Sequence, residues 1–324
     1  MTALQAAPTP HHTSDVVWFD GELVSARDAY VAPFTHALHY GSGVFEGIRA
    51  YATPRATAIF RLRDHIRRLF ASAETYGLRI PFGLERLEEA VCETLRANGF
   101  QEGYIRPLVF FGARGISLAP AFNCPTHVLI ALKALSGSLI GAGSARVTIS
   151  PWQKTSSKAL PSGAKACGHY TNSILALQDA YERGFDEAIL LNSKGLVAEG
   201  TGENVFVVNA RTLVTNDASA DILEGITRDT IVTLARERGL RVEVRLLELD
   251  DLYGASEVFF TGTAAEVMPI GEIDGRRFPA PGPVTRMLQE AYAGAVRGEE
   301  SAHPDWLTRL SDGDAPGRAY DAND

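Results

Sequence analysis

Leu135-Ser-Gly-Ser-Leu-Ile-Gly-Ala-Gly-Ser144 breaks the texture of this chain. Small residues without helical or strand period read as a linker, so the chain divides there into two lobes. On the N-terminal side, Val16-Val-Trp-Phe-Asp-Gly-Glu-Leu-Val24 predicts a hairpin turning at Asp20-Gly21. Ile66, Leu69, Phe70 and Ala73 recur at helical spacing over residues 63–76 and stop at Gly77. Leu84, Leu87, Val91 and Leu95 mark a second helix ending at Asn98-Gly99, and residues 103–111 and 127–132 read as strands. Beyond the linker the same reading gives strands at 146–151, 187–192 and 204–209 and helices at 172–183 and 227–238. Strands and helices mix without the strict alternation of a doubly wound parallel sheet. The fold class is therefore α+β, in two lobes. The boundaries are a leader (1–14), a small N-terminal domain (15–134), the linker (135–144), a large domain (145–298) and a tail (299–324). Leader and tail are too polar and loop-like to pack.

With 324 residues and 45% apolar content, the chain can bury a substantial core. Its net charge of −8 comes without a basic stretch, which argues against a nucleic-acid partner. No apolar run reaches membrane-spanning length, and the N-terminus has neither a basic start nor an apolar h-region. Cys92, Cys124 and Cys167 are odd in number and lack metal-ligand spacing, and the eight histidines form no zinc-type pair. Reduced thiols in a cytoplasm, and no metal, are the expectation.

Only five of the 31 basic residues are lysines, so a reactive amine has few candidates. In Pro161-Ser-Gly-Ala-Lys-Ala-Cys-Gly-His-Tyr170, Lys165 stands among small residues that leave room for a flat ligand. Glu199, in Glu199-Gly-Thr-Gly-Glu-Asn204, interrupts an apolar strand just before a glycine. Gly225-Ile-Thr-Arg-Asp229 opens an amphipathic helix, where free N–H groups suit a phosphate dianion. Amine, carboxylate and phosphate cradle are what pyridoxal 5'-phosphate requires of a protein. The plain alternatives are a loop lysine, a solvated carboxylate and a threonine N-cap. Thr261-Gly-Thr-Ala-Ala265 is a second small cluster that offers an anion cup or simply a turn. Strand alternation puts Tyr104 and Arg106 on one face, and Phe45, Gly47 and Arg49 on one face. An arginine beside a tyrosine suits a carboxylate or a surface ion pair, and the phenyl, gap and cation suit an apolar amino acid.

His36-Ala-Leu-His-Tyr-Gly41, Val44-Phe-Glu-Gly-Ile-Arg49, Tyr104-Ile-Arg-Pro-Leu108, Lys165 and the three stretches beginning at Glu199, Gly225 and Thr261 stand in a telling order. Together they resemble the branched-chain amino acid aminotransferases, fold-type IV pyridoxal-phosphate enzymes, over roughly residues 16–300. The resemblance implies a small α/β lobe, a larger pseudo-barrel cofactor-binding lobe, a cleft between them and at least a homodimer. It implies amino-group exchange between leucine, isoleucine or valine and 2-oxoglutarate, giving branched 2-oxo acids and L-glutamate. By it, Lys165 carries the cofactor and acts as the base, Glu199 meets the pyridine nitrogen and Tyr170 the ring hydroxyl oxygen. Arg68, Gly225, Ile226, Thr227 and Thr263 hold the phosphate, and Leu223 packs on the ring. Phe45, Tyr104, Arg106, Thr263 and Ala264 shape the substrate pocket, Arg49 braces it, and Tyr40 reaches in from the partner subunit. Arg68 is chosen by the resemblance alone, because it lies opposite its helix's apolar stripe and reads as a solvated charge. The linker lacks the aromatic residues that often close the pocket in bacterial relatives. His169 and Glu224 stand where asparagine and proline are common. D-amino-acid aminotransferases, (R)-selective amine transaminases, aminodeoxychorismate lyase and, remotely, a non-catalytic scaffold of this fold are the alternatives.

Overall fold

The computed structural model describes residues 13–115, 117–118, 123–135, 143–299 and 302–310. Strands β1 (Val16–Phe19), β2 (Glu22–Ser25), β3 (Gly43–Phe45), β4 (Ile48–Ala52), β5 (Thr57–Phe60), β6 (Gly103–Phe111), β7 (Thr126–Ala134) and the late β17 (Leu307–Arg309) make one sheet. Its order is β17-β5-β4-β6-β7-β1-β2, with β3 beside β6. The predicted hairpin turns where Asp20 and Gly21 both take positive φ, 49° and 112°. Helices α1 (His36–Tyr40), α2 (Leu62–Thr75) and α3 (Leu84–Asn98) accompany this sheet. The helical periods explain the packing: Ile66, Leu69 and Ala73 of α2 and Leu87, Val91 and Leu95 of α3 cover Ile48, Ile105, Val109, Ile130 and Leu132. Each fully buried aliphatic side chain there contributes roughly 1.5–3 kcal/mol.

The second sheet contains β8 (Ala145–Ile149), β9 (Glu187–Leu191), β10 (Val197–Gly200), β11 (Asn204–Asn209), β12 (Thr212–Thr215), β13 (Arg241–Val244), β14 (Glu257–Gly262), β15 (Glu266–Ile273) and β16 (Arg276–Arg277). Its order is β10-β9-β8-β15-β14-β11-β12-β13, with β16 on β15. Val197 N donates to Leu247 O at 3.0 Å, so the first strand of the order reaches the segment just past the last. The sheet thus curls toward closure, as a pseudo-barrel does. Val205 and Val207 face its interior with Val147, Ile189 and Phe260. Phe206 and Val208 point outward to α5 (Ile226–Glu237) and α7 (Pro283–Arg297). Covered on both faces, β11 reads as an unbroken apolar run rather than an alternation. Helices α4 (Tyr170–Glu182) and α6 (Leu249–Gly254) complete the lobe.

The lobes share a core in which Tyr51 and Phe60 of the first sheet pack with Ile231, Leu234, Leu288 and Tyr292 of the second lobe. Arg61 Nη1 reaches Asp229 Oδ2 at 2.8 Å across the same seam. The proposed linker falls largely on residues 136–142, and most of the leader on 1–12, outside the described residues. Two expectations are corrected. Ser14 joins the sheet, donating its N–H to Leu132 O at 2.9 Å. Residues 302–310, assigned to the loop-like tail, pack: Trp306, Leu307 and Leu310 are buried, and β17 pairs with β5. Three apolar residues in a polar context cover what is otherwise an open sheet edge.

Candidate active site

The loop carrying Lys165 is stitched into the first lobe at two points. Lys165 N donates to Ser72 Oγ of α2 at 3.0 Å, and Lys165 O accepts from Phe45 N at 3.0 Å. Buried Ala164 and Ala166 flank it, so the backbone is fixed while the side chain points into the cleft. Its Nζ donates to Tyr170 Oη at 2.6 Å and stands 5.0 Å from the Phe45 ring centroid. Burial first, then the charge of Arg68, lowers the amine's pKa. Burial also pushes the Tyr170 hydroxyl well above its ordinary value.

Glu199, at the end of β10, has no freedom to swing. Its Oε1 takes Lys154 Nζ at 2.6 Å, and its Oε2 accepts from Asn204 Nδ2 at 3.2 Å and Leu223 N at 3.1 Å. Lys154 and Lys165 are both half-buried, but their pKa values shift in opposite directions. Burial pulls the Lys154 amine down, yet attraction to Glu199 and their hydrogen bond leave it above its ordinary value. The clamped lysine stays charged, and the unclamped one gives up its proton more readily.

Arg68 requires a correction. It is no solvated charge: Nε and Nη2 hold both oxygens of Glu46, at 2.6 and 2.9 Å, and Nη1 donates to Glu224 O at 3.1 Å. Glu46 also accepts from His65 Nδ1 at 2.7 Å. Although burial alone raises its carboxyl, Arg68 and His65 hold it far below the usual carboxylate range. The flank of α2 that carries His65, Arg68 and Ser72 faces the cleft, while Ala71 and Thr75 face water.

Gly225 is the N-cap of α5 and makes no side-chain cap bond; the predicted threonine N-cap alternative is not what forms. A Cβ at Gly225 lies 2.2 Å from Asn204 Oδ1, so a side chain is excluded there. Ile226 and Thr227 follow as the first helical residues, with their N–H groups aimed outward along the helix axis. Across from them, Thr261 Oγ1 is buried without a hydrogen-bond partner among the described residues. Amides, an orphan hydroxyl and Arg68 make an anion cup; Lys165 and Glu199 flank one cavity with Leu223, Gly225, Ile226, Thr227 and Thr263. The donors fit a flat phosphorylated pyridine: phosphate at the helix end, carboxylate at the floor, amine at the side. Glu203 borders the same cavity, and burial, reinforced by the charge of Glu187, pushes its carboxyl up to about 8. Neutral Glu203, paired Glu199–Lys154 and paired Glu46–Arg68 leave Lys165 without a counter-charge among the described residues.

The strand alternation holds on the substrate side. Pro107 has no N–H, so the ladder breaks between β3 and β4, but the register resumes unshifted from Phe45↔Leu108 to Ile48↔Ile105. Arg106 Cζ lies 4.5 Å from the Phe45 ring centroid, and its Nη2 donates to Tyr104 Oη at 3.0 Å. A Cβ on Gly47 lies 1.9 Å from Tyr104 Oη, so glycine is what admits the tyrosine. Arg49, directly opposite Tyr104 and so on the same face, is buried, 4.8 Å from the Tyr51 ring and 3.6 Å from Glu266, and lines neither cavity. Ala264 lines a second cavity with Tyr104 and Arg106. Tyr40 lies on α1 among exposed Tyr30, Phe34 and Leu38, and lines neither cavity.

Glu46, His65, Lys154, Asn204 and Glu203 were missed. Glu46 alone had a signal: a carboxylate inside Val44-Phe-Glu-Gly-Ile48, where an unpaired charge is not tolerated. Among the described residues no cluster of three or more His, Cys, Asp or Glu is placed to hold a metal. Nor is any helix long and apolar enough to cross a membrane.

Residues 43–273 match the model of the amino-transferase class IV family, and the chain belongs to that family. Within it, the chain is similar to branched-chain-amino-acid aminotransferases. The Pseudomonas aeruginosa protein of that name is 45% identical over 298 residues, 90% of this chain and 96% of the relative. The branched-chain aminotransferase of Thermoproteus uzoniensis, solved with norvaline, superimposes with a TM-score of 0.88 at 43% identity, covering 91% of this chain and 99% of that one. The branched-chain amino acid aminotransferase of T.th., solved with N-(5'-phosphopyridoxyl)-L-glutamate, gives 0.87 at 42% identity, covering 92% and 99%.

Proposed function

We propose that this chain is a pyridoxal 5'-phosphate-dependent branched-chain L-amino acid aminotransferase, passing the amino group of leucine, isoleucine or valine to 2-oxoglutarate. One observation carries the reading: a half-buried lysine without a counter-charge among the described residues, 2.6 Å from Tyr170, shares a cavity with a carboxylate already clamped by a second lysine. The similarity to branched-chain enzymes solved with norvaline and with a phosphopyridoxyl glutamate supports the substrate class and the cofactor.

Lys165 would hold the cofactor, Glu199 its ring nitrogen, Tyr170 its ring oxygen, Leu223 its face, and Arg68, Gly225, Ile226, Thr227 and Thr263 its phosphate. When bound, pyridoxal phosphate supplies an electron sink that makes the substrate's α-hydrogen acidic. Lys165 Nζ, with its lowered pKa, takes that hydrogen as a proton and later returns one. Glu199, charged and fixed through three partners, favours the protonated ring nitrogen. Phe45 and Tyr104 present an apolar wall to an aliphatic side chain, and Arg106 at its margin accepts glutamate's second carboxylate. Arg49 braces this wall from beside Tyr104, held by Tyr51 and Glu266. The exposed apolar group around Tyr40 supports a homodimer in which Tyr40 enters the partner's pocket. Three free cysteines, with Cys92 buried, support a reducing, cytoplasmic setting.

A panel of L-leucine, D-alanine and a chiral aryl amine with 2-oxoglutarate tests the reading, run beside Lys165→Ala. Exchange with leucine alone, lost in the variant, is the expected result. Preference for either other donor moves the chain to another fold-type IV activity, and pyruvate release from aminodeoxychorismate moves it to the lyase. No exchange with any donor makes it a scaffold.

A further inference from the structure

Resting on that reading, we propose that Lys133 is a second anion-recognition residue of the substrate pocket, placed for the distal carboxylate of dicarboxylates longer than glutamate. Lys133 lies on β7 directly opposite Tyr104, and Ala131 opposite Arg106. Directly opposed residues of antiparallel strands share a face, with Cβ atoms roughly 5 Å apart. The neighbours Ile130 and Leu132 are buried in the core behind, so Lys133 and Ala131 turn toward the pocket. There Tyr104, Arg106, Ala131, Leu132, Lys133 and Ala264 line a cavity of about 400 Å³.

The order outward from the reactive amine is given by contacts. The Phe45 ring is shared by Lys165 Nζ at 5.0 Å and Arg106 Cζ at 4.5 Å. Arg106 holds Tyr104 Oη at 3.0 Å, and Lys133 stands across from Tyr104. Arg106 is therefore the nearer cation and Lys133 the farther one. Among the described residues neither forms an ion pair with a carboxylate, whereas Lys154 and Arg68 in the same cleft do. Two uncompensated cations on one wall of a chain with net charge −8 mark a place for an anionic ligand. The cavity extends past Arg106 to Lys133, which suits a ligand longer than the five-carbon one. The chemical class is an amino or 2-oxo dicarboxylate of six carbons, bound beside the five-carbon one.

The experiment uses holoenzyme with L-leucine as donor and 2-oxoadipate, 2-oxoglutarate or 3-methyl-2-oxobutanoate as acceptor. In Lys133→Met, the ratio of kcat/KM for 2-oxoadipate to that for 3-methyl-2-oxobutanoate falls about fivefold, the effect of losing one half-buried charged contact. The corresponding ratio for 2-oxoglutarate falls less, and Lys133→Arg restores both. Adipate binding, measured by calorimetry, weakens in step. An unchanged ratio, an equal fall for the apolar acceptor, failure of arginine to restore it, or wild-type enzyme that ignores 2-oxoadipate while using 2-oxoglutarate overturns the proposal. Absence of exchange with every acceptor sinks the aminotransferase reading instead, and the adipate titration then still decides whether Lys133 recognises the dicarboxylate.

Discussion

Lys165→Met is expected to make the cofactor-free protein more stable at pH 7 while abolishing transamination. Lys165 is half-buried, its Nζ bonds only Tyr170 Oη among the described residues, and desolvation and Arg68 both lower its pKa. Each unit by which the folded pKa lies below the unfolded value of about 10.4 costs the fold roughly 1.4 kcal/mol. At pH 7 that cost reaches about 4.6 kcal/mol at most, when the amine is fully neutral. Methionine removes it, matches the stem in length, and forfeits a hydrogen bond of about 1 kcal/mol. The net gain is therefore positive and at most about 3–4 kcal/mol. The sign with pH is equally definite. Between the lowered folded pKa and about 10.4 the unfolded chain binds more protons, so wild-type stability rises with pH and the variant's advantage shrinks. Guanidinium unfolding of both proteins at pH 7 and pH 9.5, followed by far-UV circular dichroism, reads this directly. A Lys165→Met protein that is less stable than wild type at pH 7, or whose advantage does not shrink on raising the pH, refutes the assignment of Lys165 as the cleft's uncompensated amine. Lys154→Met is the internal control with opposite sign. It strands Glu199 without its cation and should lose about 3 kcal/mol, because breaking a buried pair leaves one charge behind.

Two further outcomes follow from the pairings in the cleft. Glu46→Gln leaves Arg68 without its counter-charge and should destabilise the protein by about 3 kcal/mol; the shift of the unfolding midpoint at pH 7 measures it. A loss under about 1 kcal/mol would mean that Arg68 finds another anion. Arg106→Leu should reduce kcat/KM for 2-oxoglutarate about tenfold more than for leucine, since only the former brings a second carboxylate to that wall; equal losses remove the role.

The fold was readable wherever one period dominated a segment. The helices at 62–75 and 84–98 and the strands at 103–111 and 204–209 lie within two residues of where apolar spacing put them. The pairing of β17 with β5 was not readable, because its signal is three apolar residues amid Asp, Gly and Pro and its partner lies some 250 residues earlier. Periodicity reports a local face; it holds no record of which distant edge that face will cover.

The chemistry of the cleft divides the same way. Lys165, Glu199 and the turn at Gly225 announce themselves through small neighbours and an interrupted apolar run. Their electrostatic state does not, because it belongs to pairs formed across the fold. Lys154 and Lys165 are eleven positions apart in one loop region, and nothing local makes one an ion-paired cation and the other an amine that yields its proton more readily. The difference is made by β10, which brings Glu199 Oε1 to Lys154 Nζ and leaves Lys165 facing a neutral phenol. Arg68 shows the converse: an arginine opposite an apolar stripe normally meets water, but the opposing surface here is the second lobe, and Glu46 comes from the first sheet beneath it. A carboxylate able to fix a ring nitrogen must itself be held, and its holder must be a cation that never competes for the cofactor's aldehyde. Clamping Lys154 in an ion pair meets both needs at once. The stability measurements on the two lysines therefore test whether the site's selectivity between its own amines is set by charge pairing or by position alone.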